Sequence, residues 1–231
     1  MIKMFVKGIL TPLGIELRQR PSAIPNPIHA WDTEFEFVHT YNLVRDHTVV
    51  DKVRMFMLYQ AFLHTASLSG DVVEVGVYRG GTAKFFSLIN KKYDVRKNIH
   101  LFDTFGGMPT TSAELDIHRE GDFSDTSFEM VSEYLKDFQG VKLTKGFFPQ
   151  TGGYLKDSTF SFVHVDVDIY QSVLDCCEFL YPRMVSGGIV MFDDYGFISC
   201  PGAKKAVDEF FMQKKEKPFY LPSGQCMVIK I

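Results

Sequence analysis

Cysteine is scarce in this chain. The 231 residues hold four, Cys176, Cys177, Cys200 and Cys226, with no Cys-x-x-Cys pair and no zinc-like spacing. That excludes a disulfide-stapled scaffold and a zinc ribbon, and makes a reducing, cytoplasmic compartment the expectation. Net charge is small, −3 from 25 basic and 28 acidic side chains. No field therefore points to nucleic acid or an anionic membrane as partner. No apolar run is long enough to span a bilayer. Lys7 and Pro12 interrupt the apolar run at the start, and no small-residue cleavage site follows, so no signal peptide is expected. The compact Gly-x-Gly-x-x-Gly turn of dinucleotide readers is missing as well.

What is present is a soluble-protein composition, 45% hydrophobic and 23% charged, with 22 Phe and 10 Tyr. The length suits one α/β domain with extensions, and the aromatics predict a full core and an aromatic-lined pocket. Four prolines between Pro12 and Pro27 make the first residues an extended arm. We take residues 1–45 as an N-terminal arm or lid and 46–231 as the main domain. The arm is expected to cover the site or reach a second subunit of a homo-oligomer.

Helical spacing of apolar residues runs from Asp51 to Leu68. Beyond it, strands are predicted near 72–75, 99–103, 141–144, 161–166 and 187–192. Helices are predicted near 81–90, 127–138, 171–181 and 202–214. Pro218–Leu221 and Cys226–Ile231 form two last strands around Pro222-Ser223-Gly224. The alternation implies an α/β, Rossmann-like fold: a mostly parallel sheet, helices on both faces and an antiparallel C-terminal hairpin. The connection Thr104–Ser127, with Gly106-Gly107, Pro109 and His118-Arg119, is long enough to be a lid or binding loop.

Val72-Val73-Glu74-Val75-Gly76-Val77-Tyr78-Arg79-Gly80-Gly81 reads as a buried strand running into a glycine turn and a helix. Ligands of open α/β sheets bind beyond the carboxyl ends of the strands. Glycines admit a ligand close to the backbone, and Asp103, ending the second strand, can accept ribose hydroxyls. The spacing Gly76-x-x-x-Gly80-Gly81, with an acid inside the first strand, favours S-adenosylmethionine over a nicotinamide dinucleotide. Candidate donor contacts are Glu74, Gly76, Tyr78, Gly80, Asp103 and Thr104, with Asp122 and Ser124 from the long loop. The alternative is a purely structural strand–turn–helix.

Asp166, Asp193 and Asp194 close two apolar strands that should be sheet neighbours. Converging carboxylates are costly without a cation, and oxygen-only donors favour magnesium, calcium or manganese over zinc. The bland reading has such acids capping helices or facing solvent, and Asp168 is placed there. His164, two residues before Asp166, is read as a core histidine rather than a base, and Cys176-Cys177 as small core residues. His118 and Arg119 are either substrate contacts or part of a solvated lid.

Several segments together resemble the macrocin-type O-methyltransferases of the class I methyltransferases. They are Glu74–Gly81, Phe102-Asp-Thr-Phe-Gly-Gly-Met-Pro109, His118-Arg-Glu-Gly-Asp-Phe-Ser-Asp-Thr126, His164-Val-Asp-Val-Asp-Ile-Tyr170, Tyr181–Gly188 and Phe192-Asp-Asp-Tyr-Gly196. The resemblance spans roughly residues 45–215. It implies S-adenosylmethionine as donor, magnesium as the metal, and a hydroxyl of a sugar or glycosylated natural product as acceptor. It places Asp166, Asp193 and Asp194 on the metal, Asp166 also as the base, and Thr48 near the donor's methionine end. An NAD(P)-dependent sugar-modifying enzyme, a catechol O-methyltransferase and a non-catalytic relative of the fold are the competing readings.

Overall fold

A computed structural model describes residues 28–231. The chain divides into two units, Met1–Thr33 and Glu34–Ile231. In the first, one helical turn spans Ala30–Thr33, and the rings of His29 and Trp31 stack 4.3 Å apart. The proline-rich arm expected to reach a neighbouring subunit falls largely on residues 1–27, outside the described residues.

The second unit is the expected sheet with helices on both faces. Its strands are β1 (Asp71–Val75), β2 (Ile99–Asp103), β3 (Val141–Lys145), β4 (Phe160–Val165), β5 (Met184–Phe192), β6 (Phe219–Tyr220) and β7 (Cys226–Ile229). They are ordered β3-β2-β1-β4-β5-β7-β6. The first five run parallel, and β7 pairs antiparallel with both β5 and β6. The strand order reverses between β1 and β4, so the crevice that binds ligands in such sheets opens there.

The helices are α1 (Phe35–Asn42), α2 (Lys52–His64), α3 (Gly81–Lys92), α4 (Phe128–Leu135), α5 (Tyr170–Leu180) and α6 (Pro201–Phe211). Asp51 caps α2 by accepting from the amides of Val53 and Arg54 at 2.9 and 3.1 Å, and Ser127 caps α4 through Met130 N. Each such cap contributes about 1 kcal/mol. Helix α1, with Phe37 fully buried, was not expected from the sequence. It lies within the stretch assigned to the arm, yet its residues group with the main unit.

β4 is buried at every position, as a central parallel strand should be. Successive side chains point to opposite faces. Phe162 meets Phe62 of α2 and Phe86 of α3, and His164 meets Phe86. Val163 and Val165 join the other cluster, with Val173, Cys176 and Leu180 of α5 and Val207 and Phe211 of α6. Each fully buried phenylalanine contributes roughly 1.5–3 kcal/mol of transfer free energy. These two apolar layers fix the strand ends, and with them the loops that carry the chemistry.

Candidate active site

The glycine turn after β1 is built by close approach. Gly76 has φ +90, and a Cβ there would stand 1.7 Å from the carbonyl oxygen of Asp166. Only glycine lets the β1 and β4 loops lie together. Gly81 plays the same part for another segment: a Cβ would sit 2.6 Å from His47 O and 2.7 Å from the Thr48 side chain. Thr48 is thus held at the start of α3, its hydroxyl accepting from Val50 N.

Asp103 locks this turn from β2. Its Oδ2 accepts from Val77 N and Tyr78 N, both at 2.8 Å, and its Oδ1 accepts from Phe105 N at 2.7 Å. An ionised carboxylate offers about four acceptor positions. Three are taken by the backbone, which leaves Oδ1 room for one further hydroxyl. Gly76, Tyr78, Asp103 and Thr104 line one cleft with Met108 and Phe147. The cleft also reaches Asp166 and Asp168.

Other sequence candidates lie elsewhere. Glu74 is a correction: it is fully buried inside β1, where its register partner is His164, and it lines no part of the cleft. Glu74 Oε1 meets His164 Nδ1 at 2.9 Å. Gly80 starts α3 in the left-handed region. Asp122 accepts from Arg119 N at 2.9 Å and faces His118 Nδ1 at 3.2 Å, and Ser124 is exposed.

At the ends of β4 and β5 the ladder continues one residue further, with Asp166 N bonded to Val75 O and Asp193 N to Val165 O. Carboxylate oxygens of Asp166, Asp168 and Asp194 all lie within 4.8 Å of one another. Asp194 Oδ2 accepts from Asp168 N at 3.0 Å. Asp168, assigned to solvent or a cap on sequence grounds, joins the cluster because its backbone turns back at φ +56. Burial pushes all three carboxyls up. Asp193 adds to the effect at Asp166, Asp168 adds to it at Asp194, and His118 partly offsets it at Asp168. Three oxygen donors that resist ionisation together fit a hard dication.

Asp193 is engaged on both oxygens. Oδ2 pairs with Arg54 Nη1, and Oδ1 accepts from Gln225 Nε2 at 2.7 Å. His164 Nε2 stands 3.6 Å from the same Oδ1. Burial raises the Asp193 carboxyl, but His164, Arg54 and Gln225 outweigh it, and the net shift is downward. Burial opposes charge on His164, yet Asp193 and Glu74 lift its pKa to about 10. Glu74, His164, Asp193 and Arg54 therefore form a chain of alternating acidic and basic side chains leading out of the sheet interior. The sequence gives no sign of Arg54 or Gln225, because nothing local marks a contact across more than thirty positions.

The long loop has structure of its own. Met108 N and Gly121 N exchange hydrogen bonds with Asp122 O and Met108 O. Asp116 Oδ1 accepts from Tyr170 N at the start of α5, 2.8 Å. Asp125 accepts from the Tyr78 hydroxyl at 2.8 Å and pairs with Arg79. The loop is thus pinned near its middle to α5 and near its end to the turn after β1. Tyr93 and Lys97 have the Tyr-x-x-x-Lys spacing of sugar-modifying dehydrogenases. However, Lys97 Nζ donates to Leu68 O and Gly70 O, below the first strand and away from this site.

A sequence profile of the Macrocin-O-methyltransferase (TylF) family matches residues 42–219. The chain belongs to this family. As a family member it is similar to the mycinamicin III 3''-O-methyltransferase of Micromonospora griseorubida, 33% identical over 156 residues. It is also 31% identical over 156 residues to the demethyldecarbamoylnovobiocin O-methyltransferase of Streptomyces niveus. These matches cover 61% and 62% of this chain but only 60% and 59% of the two relatives' length. Among solved structures, the O-methyltransferase NovP superposes with a TM-score of 0.71 at 26% identity, covering 80% of this chain and 82% of that one. The calicheamicin methyltransferase CalS11 shares the fold, with a TM-score of 0.66 at 17% identity over 93% and 99% of the two chains. Among the described residues no helix is long and apolar enough to cross a membrane.

Proposed function

We propose that this family member transfers a methyl group from S-adenosylmethionine to a hydroxyl of a sugar or glycosylated small molecule, assisted by magnesium. The observation that carries the reading is the shared cleft. The glycine turn with Asp103 and two of the upward-shifted carboxylates, Asp166 and Asp168, line one space, and Asp194 stands directly behind them. The names of the curated relatives support a glycosylated acceptor.

When bound, the donor supplies an electrophilic sulfonium methyl, and a magnesium ion supplies Lewis-acid polarisation of the acceptor hydroxyl. Gly76, Tyr78, Asp103 and Thr104 hold the donor, with Thr48 behind the start of α3. Asp166, Asp168 and Asp194 hold the ion. Asp193 keeps Arg54 in place rather than serving as the third ligand. Asp166 accepts the hydroxyl proton on its carboxylate as the methyl is transferred. The lid excludes water and aligns the two substrates, a positioning effect that can supply roughly 7 kcal/mol or more of the barrier.

Isothermal titration with S-adenosylhomocysteine and with NADH, each with magnesium and with a chelator, tests this function. Binding of the first and not the second supports it. Binding of NADH alone, or of neither, overturns it. A chelator that leaves methyl transfer untouched removes magnesium from the scheme.

A further inference from the structure

A second group of donors stands at the lid edge, on the far side of Asp168. His118 Nε2 lies 3.6 Å from Asp168 Oδ1, and Cys200 Sγ lies 3.4 Å from the same oxygen. The three donor atoms fall within 4.8 Å of one another. They come from three separate pieces of chain: the lid, the loop after β4, and the residue that starts α6. One nitrogen, one oxygen and one sulfur are the donor types that zinc-like ions take together.

The Cys200 thiol donates to Asp168 Oδ1, and the 3.4 and 3.6 Å separations are also those of neighbouring donors in a coordination polyhedron. Ligand distances of roughly 2.0–2.3 Å around a tetrahedral ion put neighbouring donors about 3.4–3.6 Å apart. The His118–Asp168 distance is too long for a good N–H···O bond. His118 Nδ1 faces Asp122 Oδ2 at 3.2 Å, the carboxylate anchor that orients a metal-ligating imidazole and leaves Nε2 free to bind. With Nδ1–H donating to Asp122, Nε2 is the ring atom turned toward Asp168 Oδ1, and a dication between the two atoms takes the place of any proton there.

We propose that His118, Asp168 and Cys200 form a binding site for a thiophilic dication such as zinc, distinct in chemistry from the all-oxygen cluster with which it shares Asp168. Binding replaces the thiol proton: the Cys200 S–H bond breaks, sulfur coordinates the ion as thiolate, and the proton leaves to solvent. Three protein donors leave the fourth position to a water or another exogenous ligand. An ion in this site joins lid to body and takes Asp168 from the magnesium set, so it inhibits methyl transfer. The site stands on its own geometry and does not depend on the acceptor or the donor.

Cadmium, titrated into the whole protein with magnesium in excess, is the probe. One equivalent should produce an ultraviolet sulfur-to-cadmium charge-transfer band that zinc displaces. Cys200→Ser should lose the band. Asp122→Asn, which removes only the anchor of His118, should weaken cadmium roughly 10- to 100-fold, and His118→Ala by at least as much. His118 and Asp122 lie on the lid, so these variants keep the fold, which near-ultraviolet circular dichroism verifies. The proposal is overturned by the absence of a band in the parent protein, by its persistence in Cys200→Ser, or by unchanged cadmium affinity in both lid variants.

Discussion

Arg54 sits on Asp193, 139 positions away in sequence, beside a cluster of three further aspartates. The same guanidinium donates to Val49 O at 2.7 Å, bonds Asp51 Oδ2 at 3.0 Å and lies over the Phe197 ring at 5.0 Å. Burial opposes its charge, but Asp193, Asp166 and Asp51 more than compensate. Arg54 thus joins the carboxylates to the segment that holds Thr48 against Gly81.

Removing one partner of this pair should cost more than the pair contributes. Arg54→Met leaves Asp193 buried without its cation, for which roughly 3–5 kcal/mol of destabilisation is expected. Urea denaturation measures it. A loss below about 1 kcal/mol, the range of surface ion pairs, would mean the contact carries no structural weight.

The carboxylates can be sorted by metal response. Magnesium should raise the Tm of the parent protein. Asp168→Asn should abolish that rise. Asp193→Asn should lower the starting Tm while keeping the rise, since Asp193 serves Arg54 and Gln225. The opposite pattern would return Asp193 to the ligand set and remove Asp168 from it.

Stability should fall as pH increases when no divalent ion is present. Asp166, Asp168, Asp194 and His164 all have folded pKa values above their unfolded ones. Each therefore favours the fold while protonated and loses that contribution as pH rises. For His164 the contribution is complete below about 6.5 and disappears as pH approaches about 10. Thermal melts in chelator should show the decline, and His164→Asn should remove its alkaline part. A Tm that stays flat from pH 6.5 to 10 in the parent would show that His164 is neutral in the fold.

Gly76→Ala should separate donor binding from folding. The new methyl would stand against Asp166 O, and a side chain at this positive φ adds roughly 1–3 kcal/mol of strain. The β1 and β4 loops must part, so S-adenosylhomocysteine affinity should fall sharply while the two apolar layers remain. Unchanged affinity would place the donor elsewhere.

The strand–helix alternation was legible because β1, β4 and β5 are apolar runs, flanked by glycines and by acids that end the sheet. That the carboxylates of Asp166 and Asp194 come together was legible for the same reason. Glu74 was misread because an acid within a strand looks like a ligand contact, whereas the register pairs it with His164 in the sheet interior. Asp168 was missed because only its left-handed backbone returns its carboxylate to Asp166. Gln225 reaches Asp193 from the turn between β6 and β7, and no spacing rule links a hairpin turn to a strand end over thirty residues away. Helix α1 has one buried aromatic, Phe37, whose neighbours Phe56 and Phe85 come from α2 and α3. Its eight residues carry too short a pattern to read alone.

The lid lines the donor cleft through Met108 and Phe123 and touches Asp168 through His118. One strap over both halves cannot open for one ligand and stay shut for the other. The kinetic scheme that follows is sequential, with donor and acceptor enclosed together before the methyl moves, and initial-velocity lines should intersect rather than run parallel.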